Sequence, residues 1–166
     1  MDWNEYFMNI ALIVAKRSKD PNYKTGCVLV DEENQIISTG YNGMPNHPKA
    51  DNDKLIDWSK SPKSKIIHAE MNALLKRTRN VPCIAYNTHE PCLDCLKHMV
   101  QAGVKRVYYF RAINDNPLWK DTYDDSQRLE FIKDYKGVVE LEKLELSKNY
   151  VRGSEDYGNQ GTPGPQ

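Results

Sequence analysis

A chain of 166 residues, 39% of them hydrophobic, can form one domain with a genuine core but is too short for two of ordinary size. Lysine plus arginine and aspartate plus glutamate stand at 23 each, so no overall field attracts a polyanion and nucleic acid is not an expected partner. The apolar run from Ile10 to Ala15 is too short to span a bilayer, and Asp2 and Glu5 precede it where a secretory leader carries positive charge, so no membrane partner is expected either.

In chain order, Trp3, Tyr6, Phe7, Ile10, Ile13 and Val14 recur at helical spacing, which predicts an amphipathic helix from Trp3 to Ser18, stopped by Asp20-Pro21-Asn22. Cys27–Val30 and Gln35–Thr39 read as strands joined in a hairpin through Asp31, Glu32, Glu33 and Asn34. A long polar connection follows from Asn42 to Lys65. His68 to Arg77 is predicted helical through Met71, Leu74 and Leu75, and Cys83–Asn87 is a short strand. Pro91 opens a helix that ends at Gly103, with Leu96, Met99 and Val100 inward. Val104–Phe110 is the next strand, Asp124–Tyr135 a helix through Leu129 and Ile132, and Val138–Leu146 the last strand. A helix between the final two strands makes them parallel through a right-handed crossover, giving an α/β fold with a mixed five-stranded sheet and helices on both faces. Residues 1–146 form the domain, and the Gly- and Pro-rich segment 147–166 reads as a polar tail.

Two of the four cysteines share a metal-ligand spacing, while Cys27 and Cys83 each lie in an apolar, strand-like run, so no disulfide framework is expected and a reducing, cytoplasmic compartment fits. His68-Ala69-Glu70 opens one helix and Pro91-Cys92-Leu93-Asp94-Cys95 opens the next. One imidazole and two thiolates supply three zinc ligands, and a zinc site with three protein ligands keeps its fourth position for water. Zinc lowers the pKa of that water from about 15.7 to about 7, and Glu70, a carboxylate outside the ligand set, can accept and return its proton. A helix N-terminus favours thiolate at the cysteine pair. The competing readings are a structural zinc knuckle closed by Cys83 or His89, and a Cys-x-x-Cys redox pair. Both leave Glu70 without a purpose.

Arg17, Lys19 and Lys24 cluster after the first helix and suit a 5′-phosphate, although a solvated charge cluster at a helix end would look the same. His47, His89 and His98 have no assigned chemistry, and Tyr108, Tyr109 and Phe110 read as ordinary strand residues.

The paired zinc motif is specific to the cytidine deaminase superfamily, which this chain resembles. Within it, Tyr6-Phe7-Met8, Arg17-Ser18-Lys19-Asp20-Pro21-Asn22, Gly40-Tyr41-Asn42-Gly43-Met44-Pro45-Asn46 and Gln101-Ala102-Gly103-Val104 are similar to the deoxycytidylate (dCMP) deaminase family over Trp3 to Leu146. The resemblance implies a three-layer α-β-α cytidine-deaminase-like fold. It also implies hydrolysis of dCMP to dUMP and ammonia, feeding thymidylate synthesis, in a homohexamer activated by dCTP and inhibited by dTTP, with Mg2+ accompanying the triphosphate. By the same resemblance the Asn42 amide meets the nucleoside, and Tyr41, Asn42, Gly43 and Met44 form the effector loop; the helix N-terminus at Ala69 is expected to offer its backbone N–H to the pyrimidine carbonyl. With only Cys27 and Cys83 unassigned, one zinc per chain is expected. The rivals are a deaminase acting on another nucleoside, a tRNA or single-stranded DNA, and a non-catalytic zinc-stabilised interaction module.

Overall fold

The computed structural model describes residues 1–46, 63–116, 124–147 and 150. In them lie helices α1 (Trp3–Ala15), α2 (Ala69–Leu75), α3 (Leu93–Gln101) and α4 (Ser126–Asp134), and strands β1 (Gly26–Asp31), β2 (Ile36–Tyr41), β3 (Cys83–His89), β4 (Val104–Arg111) and β5 (Glu140–Lys143). Single 3-10 turns occupy Lys63–Lys65 and Ile113–Asp115. His47, most of the Asn46–Lys65 connection and nearly all of the tail lie outside the described residues.

The strands form one sheet in the order β2-β1-β3-β4-β5. β1 runs antiparallel to β2 and β3, whereas β3, β4 and β5 are mutually parallel, each parallel step being made through a helix. The hairpin turn is closed by Asp31, whose Oδ1 accepts the N–H groups of Glu33 and Gln35, both at 2.9 Å, while Asn34 takes the left-handed backbone at φ 62°. Arg79, just past α2, pairs with the same Asp31.

One face of the sheet packs Val28, Val30 and Tyr86 against Phe7, Met8 and Ala11 of α1. The other packs Cys27, Leu29, Ala85 and Val107 against Ala69 and Ala73 of α2 and Leu96 and Met99 of α3, with α4 outside α3. The result is the α-β-α layering of the cytidine-deaminase-like fold. Fully buried side chains such as Leu96 and Met99 each contribute about 1.5–3 kcal/mol by leaving water.

Helix faces and element ends differ from the sequence expectation. In α1 the buried side is Phe7, Met8, Ala11, Leu12 and Ala15, whereas Trp3 is 57% and Ile13 53% exposed. A Cβ at Gly26 would lie 2.2 Å from the Ala11 carbonyl oxygen, so α1 rests backbone to backbone on β1 and small residues must face inward. The same device turns α2: a Cβ at Gly40 would lie 2.3 Å from the Ala69 oxygen and 2.4 Å from the Ala73 nitrogen, and Leu75 faces out. In α4 the buried residue is Arg128, and Leu129 is exposed. The first, second and third helices end earlier than predicted, and the last strand spans four residues, not the nine of Val138–Leu146.

Candidate active site

Two helix starts converge on one face at the end of a parallel strand. His68 occupies the N-cap position of α2, and Cys92 that of α3, which begins four residues beyond β3. His68 Nδ1 lies 3.5 Å from Cys92 Sγ and 3.3 Å from Cys95 Sγ, and all three ligand atoms fall within 4.8 Å of one another. Bonds of about 2.0–2.1 Å to nitrogen and 2.3 Å to sulfur in a tetrahedron place such atoms about 3.5 Å apart, so the donor set fits zinc. No fourth protein ligand joins them among the described residues. Cys83 lies at the far end of β3, and the His89 Nδ1 is engaged by Thr88 Oγ1 at 2.8 Å, so neither forms part of the cluster.

The Cys92 thiol is driven far below a free thiol's range, to about 4, by a hydrogen bond from the Cys95 side chain, then by His68 and by the Cys95 backbone N–H at 3.5 Å. Cys95, holding the shared proton, is pushed the other way. A cation bound between them would replace the shared proton.

Glu70 sits in the first turn of α2, 5% exposed. Burial raises its carboxyl to about 7, with the negative charge of Cys92 adding to the rise and His68 opposing it. Its Oε1 accepts a hydrogen bond from Asn87 Nδ2 at 3.3 Å. A buried carboxyl balanced near neutrality can both take and return a proton. Ala69, between His68 and Glu70, is the first residue of α2, and no His68 side-chain bond caps that start.

The Arg17–Asn22 motif is a clasp beside this site. Ser18 donates to the Asn42 carbonyl at 2.9 Å, and Asp20 Oδ1 accepts from the N–H groups of Asn22 and Tyr23 at 2.8 and 3.0 Å. Asn42 is fully buried, its Oδ1 accepting from Thr25 N–H and its Nδ2 donating to the Tyr23 carbonyl, both at 2.8 Å, so the amide holds the 23–25 segment.

Arg17 and Lys19 are not gathered at the zinc ligands. With Tyr41, Asn42, Gly43, Met44 and Lys76 they line a cavity of about 450 Å3 that also reaches Ile67, Asn72 and Leu75 but includes neither Glu70 nor the metal ligands. Lys24, half-buried before β1, is not among its lining residues. Gly43 and Ile67 exchange backbone hydrogen bonds of 3.1 and 2.8 Å, tying the cavity loop to the residue before His68.

Sequence reasoning missed Tyr23, Asn87 and Arg111 around the site, and considered His89 only as a rival zinc ligand. Tyr23 packs its ring against that of His89, centroids 4.6 Å apart and planes tilted by 46°, and burial followed by the charge of Glu70 lifts its hydroxyl well above the ordinary range. It also missed a clasp behind the cysteines. Arg128, 4% exposed, makes a two-pronged pair with Asp125 at 2.8 and 2.6 Å and reaches Glu90 at 2.7 Å, while Glu90 Oε2 accepts the Ile113 N–H. Glu90 lies two residues before Cys92, so this network fixes the thiol loop. An apolar-periodicity reading of α4 has no means of marking an arginine as its inward residue.

With this geometry established, comparison with known proteins is direct. Residues 1–111 match the cytidine and deoxycytidylate deaminase zinc-binding region. Deoxycytidylate deaminases of Pongo abelii and Homo sapiens are 38% and 37% identical over 135 residues, 76% of this chain and 69% of each relative. The dCMP deaminase of cyanophage S-TIM5, solved in complex with dCMP and dUMP, superposes with a TM-score of 0.63 at 27% identity, over 84% of this chain and 95% of that one. The chain therefore belongs to the zinc-binding cytidine and deoxycytidylate deaminase family.

Proposed function

We propose that this chain hydrolyses dCMP to dUMP and ammonia, supplying the uracil nucleotide for thymidylate synthesis. The observation that carries this reading is the set of His68, Cys92 and Cys95 with a buried Glu70 beside it, a donor set that leaves room for water. Likeness to a phage enzyme seen with dCMP and dUMP supports the substrate.

Zinc, bound by His68, Cys92 and Cys95, supplies Lewis acidity that brings a water's pKa to about 7. Glu70 takes the proton of the attacking water, delivers it to N3 of the pyrimidine as C4 becomes tetrahedral, and then helps protonate the departing amine. Asn87 holds Glu70 in line through its 3.3 Å hydrogen bond. Ala69 directs its backbone N–H to the pyrimidine carbonyl, and Asn42 shapes the wall by fixing Tyr23 and Thr25.

The cavity lined by Arg17 and Lys19 is assigned to a regulatory nucleotide, dCTP activating and dTTP inhibiting, with Mg2+ on the triphosphate. Among its lining residues Arg17, Lys19 and Lys76 suit phosphates, and Tyr41, Asn42, Gly43 and Met44 suit the nucleoside. The Gly43–Ile67 hydrogen bonds give its occupant a route to His68. On this assignment Arg17 and Lys19 serve the effector and not dCMP. A homohexameric, cytoplasmic enzyme, with residues 1–146 as the catalytic unit and 147–166 as a tail, completes the reading.

Ammonia release from dCMP, deoxycytidine, cytidine and CMP, measured with and without dCTP, dTTP and Mg2+, tests it. The expected result is dCMP turnover above the other three, raised by dCTP and lowered by dTTP. A chain inert toward dCMP in every condition but active on tRNA or single-stranded DNA refutes the substrate.

A further inference from the structure

Arg111 ends β4 directly beside His89 of β3 in the parallel register. Alternation along the two strands puts Asn87, His89, Tyr109 and Arg111 on one face of the sheet. That is the face on which Asn87 meets Glu70, and the opposite face carries Tyr86, Tyr108 and Phe110. Both strands end here, at the C-terminal edge where open α/β sheets receive ligands.

The guanidinium of Arg111 is held but not neutralised. Its plane lies 6.0 Å from the centre of the Phe110 ring, its Nε is buried without a hydrogen-bond partner, and no carboxylate pairs with it among the described residues. Asp115, the acid it influences, is already paired to Lys143 at 2.8 Å. The other cations of this region have partners: Arg128 is bound by Asp125 and Glu90. Burying a guanidinium nitrogen without a partner is costly unless a ligand supplies one.

Its neighbours are suited to an anion. His89 is kept neutral, at about 3, by burial and then by the charge of Arg111. Tyr23 packs its ring at 46° against that of His89, and its hydroxyl feels the charges of both Glu70 and Arg111. Along this face the Asn87–Glu70 contact is followed, toward the strand ends, by the His89–Arg111 pair, so a proton-transferring group and an unneutralised cation share one side of the sheet, as the base and the anion of a nucleotide require.

We propose that Arg111, flanked by Tyr23 and His89, receives the 5′-phosphate of the substrate and sets the preference for a nucleotide over its nucleoside. This rests on the dCMP reading above. Arg111 presents a planar fork of donors to the phosphate oxygens, and the tyrosine hydroxyl and imidazole flank it as polar neighbours.

The experiment compares wild type, R111Q and R111K on dCMP and deoxycytidine, together with inhibition by dUMP and by deoxyuridine, after zinc content has been matched. For R111Q, KM for dCMP and the inhibition constant for dUMP are expected to rise about 100-fold, while the deoxyuridine constant and deoxycytidine turnover hold. R111K, which keeps the charge without the fork, recovers part of the loss, and it carries the same comparison should R111Q fold poorly. A dUMP constant unchanged within about threefold, or equal losses for nucleotide and nucleoside, overturns the subsite alone. A wild type inert toward dCMP overturns the parent reading and this subsite with it.

Discussion

Asn87 Nδ2 donates to Glu70 Oε1 at 3.3 Å, while the Asn87 Oδ1 is buried without a partner. The amide therefore holds the carboxylate from one side only, and does so from a rigid central strand. In N87A, kcat is expected to fall about 10-fold, the scale of one lost hydrogen bond to a charged group, with KM and zinc content unchanged. Steady-state kinetics with metal analysis checks this. A loss confined to KM would remove the positioning role.

Glu70 itself is not a ligand in the His68, Cys92 and Cys95 set. E70Q is expected to retain one zinc per chain by elemental analysis and to lose about 100- to 10,000-fold in turnover. Two zincs per chain, or substantial residual activity, contradicts the assignment.

Gly40 lets α2 approach β2 closely enough that any side chain would strike the Ala69 and Ala73 backbone. G40A should lower stability by about 1–3 kcal/mol and, because Ala69 joins His68 to Glu70, weaken zinc retention as well. Denaturant titration and competition with a chelator measure the two effects. G43A, where the nearest contact is a side-chain atom at 3.8 Å, serves as the tolerant control.

Arg128 answers two carboxylates from a buried position. R128M leaves Glu90 and Asp125 facing each other without a cation, and should cost about 3–5 kcal/mol in stability. The double variant R128M/E90Q, which removes one of the stranded charges, should recover part of that loss, as a denaturant-based cycle would show.

His89 gives the pH dependence a sign. Its folded pKa of about 3 lies below the ordinary value of 6.5, so the unfolded chain takes up its proton first as acid is added. Its contribution is fully present above pH 6.5 and is lost as pH falls toward 3. Ligand-free wild type should therefore lose Tm faster than H89Q between these limits, both proteins sharing the same zinc ligands. Parallel curves would show that His89 is not held neutral.

The grouping of His68, Cys92 and Cys95 and the parallel final strands could be read from the chain because their information is local. Ligand spacing is dictated by the ion, and a helix between two strands dictates direction. The inner faces of α1 and α2 could not, because Gly26 and Gly40, distant in sequence, choose the alanines over the larger Trp3, Ile13 and Leu75. The Asn42 amide also binds Thr25 and Tyr23 across a turn that no spacing rule describes. Tyr23, Asn87, His89 and Arg111 belong to separate segments, and only the sheet register unites them.

His68 precedes β3, and Cys92 and Cys95 follow it, with that strand seated between β1 and β4. The three donors thus remain apart until the middle of the sheet has been assembled, and a nascent chain that has released only the imidazole has nothing with which to chelate. Completion of the donor set therefore requires the central strand in its place, which couples metal binding to folding.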